Sequence, residues 1–161
     1  MKIENDYLMK PIFEDIRKTV MENTSFPWFF KSALNENQKK EELNSYLTHS
    51  FYLNNTINSD YYNLVLPLLK KLQVKALLRV VANFYYKTDK IVEHAMHQDF
   101  KFPHKGALYS LNSCDGGTIL EDGTKVKSKE NTLLHLDTSK LHASTSTTDS
   151  KGRFNIIVNY F

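Results

Sequence analysis

The sequence predicts a mainly β domain of jelly-roll type, with helices confined to its N-terminal part, an α+β arrangement. Three observations predict it. From residue 74 onward the chain breaks into about eight short apolar segments separated by turn signals, Asp115-Gly116-Gly117, Asp122-Gly123 and Ser150-Lys151-Gly152. Before that point apolar residues recur mainly at helical spacing. With 161 residues, 41% hydrophobic and 24% charged, the chain suits one core of ordinary size and would be cramped as two. Residues 1–161 are therefore expected to form one domain, with 1–75 as helical support and flanking strands and 76–161 as the jelly-roll core.

In chain order, residues 7–22 carry Leu8, Ile12, Phe13, Ile16 and Val20 at helical spacing, and Pro11 sits early, where a helix tolerates it. Asn23-Thr24-Ser25 ends that helix, and Phe26-Pro27-Trp28-Phe29-Phe30 follows as an aromatic strand whose Pro27 suits an edge or a strand start. Residues 35–42 are a charged surface stretch, and 46–52 read as a strand with His49 half-buried. Ser59 or Asp60 caps a helix over 61–73, and Pro67 should bend or split it. The strands that follow are expected at 76–86, 91–98, 106–111, 118–120, 125–127, 132–136, 142–147 and 153–161.

A formal net charge of +3 and a pI near 8.8 are mildly basic, so a nucleic-acid partner is allowed and not demanded. The single cysteine, Cys114, excludes an intrachain disulfide framework and fits a reducing compartment. Met1 to Asp6 are polar and acidic with no apolar run behind them, and no apolar run approaches 18 residues, so a soluble, cytoplasmic protein is expected.

The chemistry concentrates at His97-Gln98-Asp99, His142 and Arg153. In an extended strand side chains alternate, so His97 and Asp99, two residues apart, point to one side as an imidazole and a carboxylate. His142 is a third candidate ligand, and Arg153 stands eleven residues beyond it at the head of the last apolar run. Two histidines and one carboxylate form the facial triad of non-haem Fe(II) oxygenases, which leaves positions open for cosubstrate and O₂. His94, three before His97, faces the other side of such a strand, and His135 has no arginine at the corresponding distance. His104 falls in a loop where it could meet substrate.

With these residues, and with Leu108-Tyr109-Ser110-Leu111-Asn112 followed by Asp115-Gly116-Gly117-Thr118, residues 76–161 resemble the 2-oxoglutarate/Fe(II)-dependent dioxygenase superfamily, in particular its short prolyl-4-hydroxylase-like members, including those of tailed phages. The resemblance implies a distorted double-stranded β-helix, cupin-like in shape, with N-terminal helices packed on one sheet. It implies Fe(II) on His97, Asp99 and His142, with 2-oxoglutarate chelating the metal and O₂ as oxidant. Its far carboxylate would meet Arg153, whose planar guanidinium makes paired charge-assisted bonds. If the chain is phage-encoded, the compartment would be the host cytoplasm. Family members that halogenate have a small residue in place of the carboxylate ligand, so Asp99 implies hydroxylation or oxidative demethylation.

Asn83-Phe84-Tyr85 and Arg153-Phe154-Asn155 are also similar to the N-x-Y and R-x-N patterns of AlkB-type nucleic-acid demethylases, which implies that Asn83, Tyr85 and Asn155 reach the cosubstrate. Tyr109 is the prolyl-hydroxylase-like alternative to Tyr85. The chain departs from the AlkB pattern in having no further arginine on the last strand. The substrate, whether peptide side chain, nucleobase or small metabolite, is not named by any residue. A cupin-like metal-dependent hydrolase or isomerase, and a non-catalytic jelly-roll interaction module, are the alternative functions.

Overall fold

The computed structural model describes residues 1–32 and 45–161; the charged stretch at 35–42 lies outside them. Its elements are β1 (Lys2–Glu4), α1 (Lys10–Glu22), β2 (Phe29–Lys31), β3 (Tyr46–Leu53), β4 (Thr56–Ile57), α2 (Tyr62–Lys71), β5 (Leu77–Tyr86), β6 (Lys105–Ser110), β7 (Gly117–Leu120), β8 (Lys125–Lys127), β9 (Thr132–Leu136), β10 (His142–Ser144) and β11 (Gly152–Tyr160). An eight-stranded sheet has the order β1-β9-β6-β11-β5-β3-β2, with β4 paired to β3. A smaller sheet has the order β10-β7-β8, and every ladder in both is antiparallel. This is the mainly β jelly roll with N-terminal helices that the strand spacing predicts.

The two faces of the large sheet do different work. Val80, Ala82, Ala107, Tyr109, Leu133, Ile156 and Val158 share one core with Phe13, Ile16 and Val20 of α1 and Val65 and Leu68 of α2. On the other face Val81, Leu108, Leu134 and Ile157 form a smaller apolar cluster. Strand β11, between β5 and β6, is buried over its whole length, so its alternation supplies both faces at once.

Local departures from the expected boundaries have tertiary causes. Helix α1 starts at Lys10 and not at residue 7. Tyr7 N–H donates to the Asn131 carbonyl (2.8 Å), and the Leu8 backbone exchanges hydrogen bonds with the Asn131 side chain (3.0 and 2.9 Å). Pro67 does not split α2, which runs unbroken with Val65, Leu68 and Leu69 buried. The helix ends where Gln73 takes a left-handed φ of 53°. Residues 91–98 do not form a continuous strand; they touch their neighbours through isolated bridges at Glu93 and His97. The aromatic run is also shorter as a strand than expected, because Phe26 turns into the core against Phe51 and Tyr61. Gly123 makes the β7–β8 turn at φ 82°, a conformation side-chain-bearing residues rarely adopt.

Asn131 joins the N-terminus to the sheet: it sits at φ 51°, ties both polar groups of Leu8, and accepts from the Tyr109 hydroxyl at 2.6 Å. Asn131→Ala leaves buried groups unpaired in a conformation alanine resists. Chemical denaturation of this variant should show a loss of roughly 3 kcal/mol.

Candidate metal centre

Strands β3, β5, β6 and β11 of the large sheet, with β10 opposite, line a cavity of about 420 Å³. Alternation decides which side chains reach it. Arg79, Val81, Asn83 and Tyr85 come from β5, Leu108 from β6, Asn155 and Ile157 from β11, and His142 and Ser144 from β10. His97, Gln98 and Asp99 complete one wall.

The two histidines are held side by side by the backbone. His97 N–H donates to the His142 carbonyl (2.9 Å) and His142 N–H to the His97 carbonyl (3.0 Å), an antiparallel pair. Asp99 N–H is tied to the Thr138 carbonyl (2.9 Å), and one ligand atom from each of His97, Asp99 and His142 lies within 4.8 Å of the others. His97 Nδ1 faces the Ala95 carbonyl (3.2 Å) and His142 Nδ1 the Lys140 carbonyl (3.0 Å). A carbonyl can only accept, so each Nδ1 carries a proton, and it is Nε2 of each ring that is free to offer a lone pair to a metal. Burial, with His142 nearby, lowers the His97 pKa and favours that neutral form. The donor set and tautomers fit a divalent metal of the facial-triad kind.

Asp99 is gripped at both oxygens: Arg79 Nη2 lies 2.6 Å from Oδ1, and Asn159 Nδ2 donates to Oδ2 at 2.8 Å. Burial alone would raise the carboxyl, but the Arg79 guanidinium and the other partners hold it below its ordinary value. Arg79 Nε donates in turn to Asn159 Oδ1 (2.8 Å), and Asn159 also reaches Thr138 and His104. His104 is thus buried in this network, bonded to Thr138 at 2.7 Å, and is not the loop residue open to substrate that its position suggested. The sequence reading passed over Arg79 and Asn159. The alternation that selects Asn83 and Tyr85 on one strand and Arg153 and Asn155 on the other also selects them, and they are a register pair.

Arg153 is 1% exposed. Its Nη2 donates to Thr118 Oγ1 (2.9 Å) and Nη1 to the Thr145 carbonyl (3.4 Å), its plane lies 5.3 Å from the Tyr85 ring, and Nε has no partner. No carboxylate pairs with it among the described residues. Gly116 makes room for it, since a Cβ there would meet the Ser146 carbonyl oxygen at 2.2 Å and Arg153 Cδ at 3.3 Å. Asn83 Nδ2 donates to Asn155 Oδ1 (3.3 Å), and Asn155 Nδ2 is buried without a partner. An unpaired buried cation and amide are costly unless an anion or acceptor completes them.

Tyr109 is a correction. It lies on the helix-side face of β6, fully buried, and its hydroxyl is spent on Asn131, so it is not brought to the cavity. Tyr85 is. His135 pairs with Glu4 at 2.6 Å, away from the triad, and His94 is buried against Tyr85 with 5.2 Å between rings.

No protein-family model matches the chain, and no curated protein matches it in sequence. Solved structures do match. A prolyl hydroxylase from Trichoplax adhaerens, in complex with a hypoxia-inducible-factor peptide, superposes with TM-score 0.73 at 14% identity over 99% of this chain and 82% of its own. The chain has the fold of the Fe(II)/2-oxoglutarate oxygenases. HygX from Streptomyces hygroscopicus, solved with nickel and 2-oxoglutarate, shares that fold at TM-score 0.63 and 12% identity, over 98% of this chain and 81% of its own. A 2-oxoglutarate-Fe(II) oxygenase-family protein from Burkholderia pseudomallei gives 0.62 and 14%, over 83% and 72%. No helix among the described residues is long and apolar enough to cross a membrane.

Burial above all, with the Arg153 charge adding to it, pushes the His94 imidazole down to about 4, so it folds neutral. The stability this lends is full above the unfolded value near 6.5 and is lost as pH falls through about 4. Unfolding free energies measured between neutral pH and pH 4 should show an acid loss about 3 kcal/mol smaller in His94→Gln than in the wild type.

Proposed function

We propose that this chain is an Fe(II)/2-oxoglutarate-dependent dioxygenase that couples decarboxylation of 2-oxoglutarate to hydroxylation of a substrate. The observation that carries the reading is a pairing beside one cavity. Three convergent metal-ligand side chains sit at the cavity wall, and a fully buried arginine without a counter-anion among the described residues stands behind Tyr85. A hydrolase or isomerase would use the triad and leave the arginine without a purpose.

In this reading Fe(II), with 2-oxoglutarate and O₂, supplies the oxidising chemistry that yields succinate and CO₂ and inserts oxygen into a C–H bond. The protein does the rest. His97, Asp99 and His142 would hold the metal. Arg153 receives the far carboxylate of 2-oxoglutarate, with Thr118 and the Tyr85 ring keeping its guanidinium in place. Asn155, with its free amide donor, and Asn83, which bonds to it, bind the cosubstrate beside Tyr85. The cavity around Tyr46, Thr48 and Ser50 admits the substrate and limits water.

The test is succinate formation from 2-oxoglutarate with added Fe(II), with or without a substrate. Wild type should produce it, and Asp99→Ala or His142→Ala should abolish it while remaining folded. Arg153→Met should raise the 2-oxoglutarate KM roughly 100-fold with a smaller effect on kcat. An unchanged KM removes the anchor, and metal-dependent turnover that ignores 2-oxoglutarate overturns the reaction.

A further inference from the structure

We propose that Arg79 is a positioning residue that sets how tightly the metal is held: its charge offsets that of Asp99 and weakens the carboxylate's grip on a divalent cation. The inference rests on the metal site described above and goes beyond it, because it assigns a role to a residue that is not a ligand. Arg79 Nη2 lies 2.6 Å from Asp99 Oδ1, the oxygen that also lies 3.9 Å from His97 Nε2. Arg79 is fixed there from three sides: Nε donates to Asn159 Oδ1, its plane lies 5.5 Å from the Phe100 ring, and its strand is paired with β11 at Asn159. These contacts keep the cation beside the Asp99 carboxylate.

Two effects oppose each other, and magnitude decides between them. As a hydrogen-bond donor Arg79 orients the carboxylate, which favours binding. As a positive charge a few ångströms from the metal it repels the incoming ion. At the effective dielectric of a protein site this repulsion is worth more than a tenfold change in dissociation constant. The orientation lost with Arg79 is worth less, because Asn159 still holds Oδ2 and the Thr138 carbonyl still holds the Asp99 backbone. Repulsion therefore wins. The expected consequence is a centre that binds its metal more loosely than the same three ligands would without the guanidinium.

Co(II) titration of the whole protein, followed by its ligand-field absorption, tests this with three proteins. Arg79→Gln keeps a donor and loses the charge, and it should bind Co(II) about tenfold more tightly than wild type, with shifted absorption bands. Arg79→Lys keeps the charge and should stay within about twofold of wild type. A purely structural role predicts the opposite sign, weaker binding in both variants. Equal or weaker Co(II) binding by Arg79→Gln overturns the inference, as does Arg79→Lys behaving like Arg79→Gln. The thermal midpoint as a function of Co(II) concentration reports the same ranking even for a variant that folds only with metal. A variant that no Co(II) concentration folds also overturns it. Wild type that fails to bind Co(II) overturns the metal-site reading as well, so the two failures are told apart.

Discussion

The period-two alternation of β11 is the constraint on which the rest of the molecule depends. Phe154, Ile156, Val158 and Tyr160 lie in the core that holds the helices to the sheet. Asn155 and Ile157 line the cavity on the opposite face, Arg153 lies behind its Tyr85 wall, and Asn159 holds the Asp99 carboxylate. A slip of one residue in the pairing with β5 or β6 would exchange these two sets. It would bury three polar side chains, those of Arg153, Asn155 and Asn159, in the apolar core and present four core side chains to the cavity. Fold and site are thus specified by one register, and a slip of that register costs both.

Around that strand, polar groups are divided by what holds them. The two histidines are set by main-chain hydrogen bonds to each other and by carbonyls that fix their tautomers. Their side chains need little further support. Asp99 stands outside any regular strand and is held by side chains from β5 and β11. Arg153 is carried by a hydroxyl, a carbonyl and a ring, none of them charged. One guanidinium therefore has its carboxylate, Asp99, and the other has none among the described residues. Burial lowers the tendency of Arg153 to stay charged, but an arginine keeps its proton regardless.

Much of this was legible in the sequence because it rests on local periodicity. His97 with Asp99, Arg153 with Asn155, and Asn83 with Tyr85 are all spaced by two, and all but the first pair lie on regular strands. What was not legible depends on which of two faces a strand presents to the helices. Tyr109 and Leu108 are neighbours on β6, and nothing within that segment says that the smaller side chain lines the cavity and the phenol meets Asn131. The segment 91–98 misled for another reason. It is apolar enough for a strand, but its partner across the gap is only the short β10, so it bonds in isolated steps. Helix α1 began late because the Asn131 side chain satisfies the preceding backbone, a contact 123 residues away in sequence. No window of sequence contains that information.

The place of β11 in the sheet has a consequence for biosynthesis. It is the last strand of the chain and yet lies between β5 and β6, which do not pair with each other. While the polypeptide emerges from the ribosome, β3 can pair with β5, and β6 with β9, but no strand joins the β5 edge to the β6 edge until residues 152–160 appear. Until then each pair offers an unpaired edge, the condition in which nascent sheets aggregate or recruit chaperones. Closure of the large sheet therefore waits for residues 152–160, and the same step completes the hydrophobic interior and the cavity together.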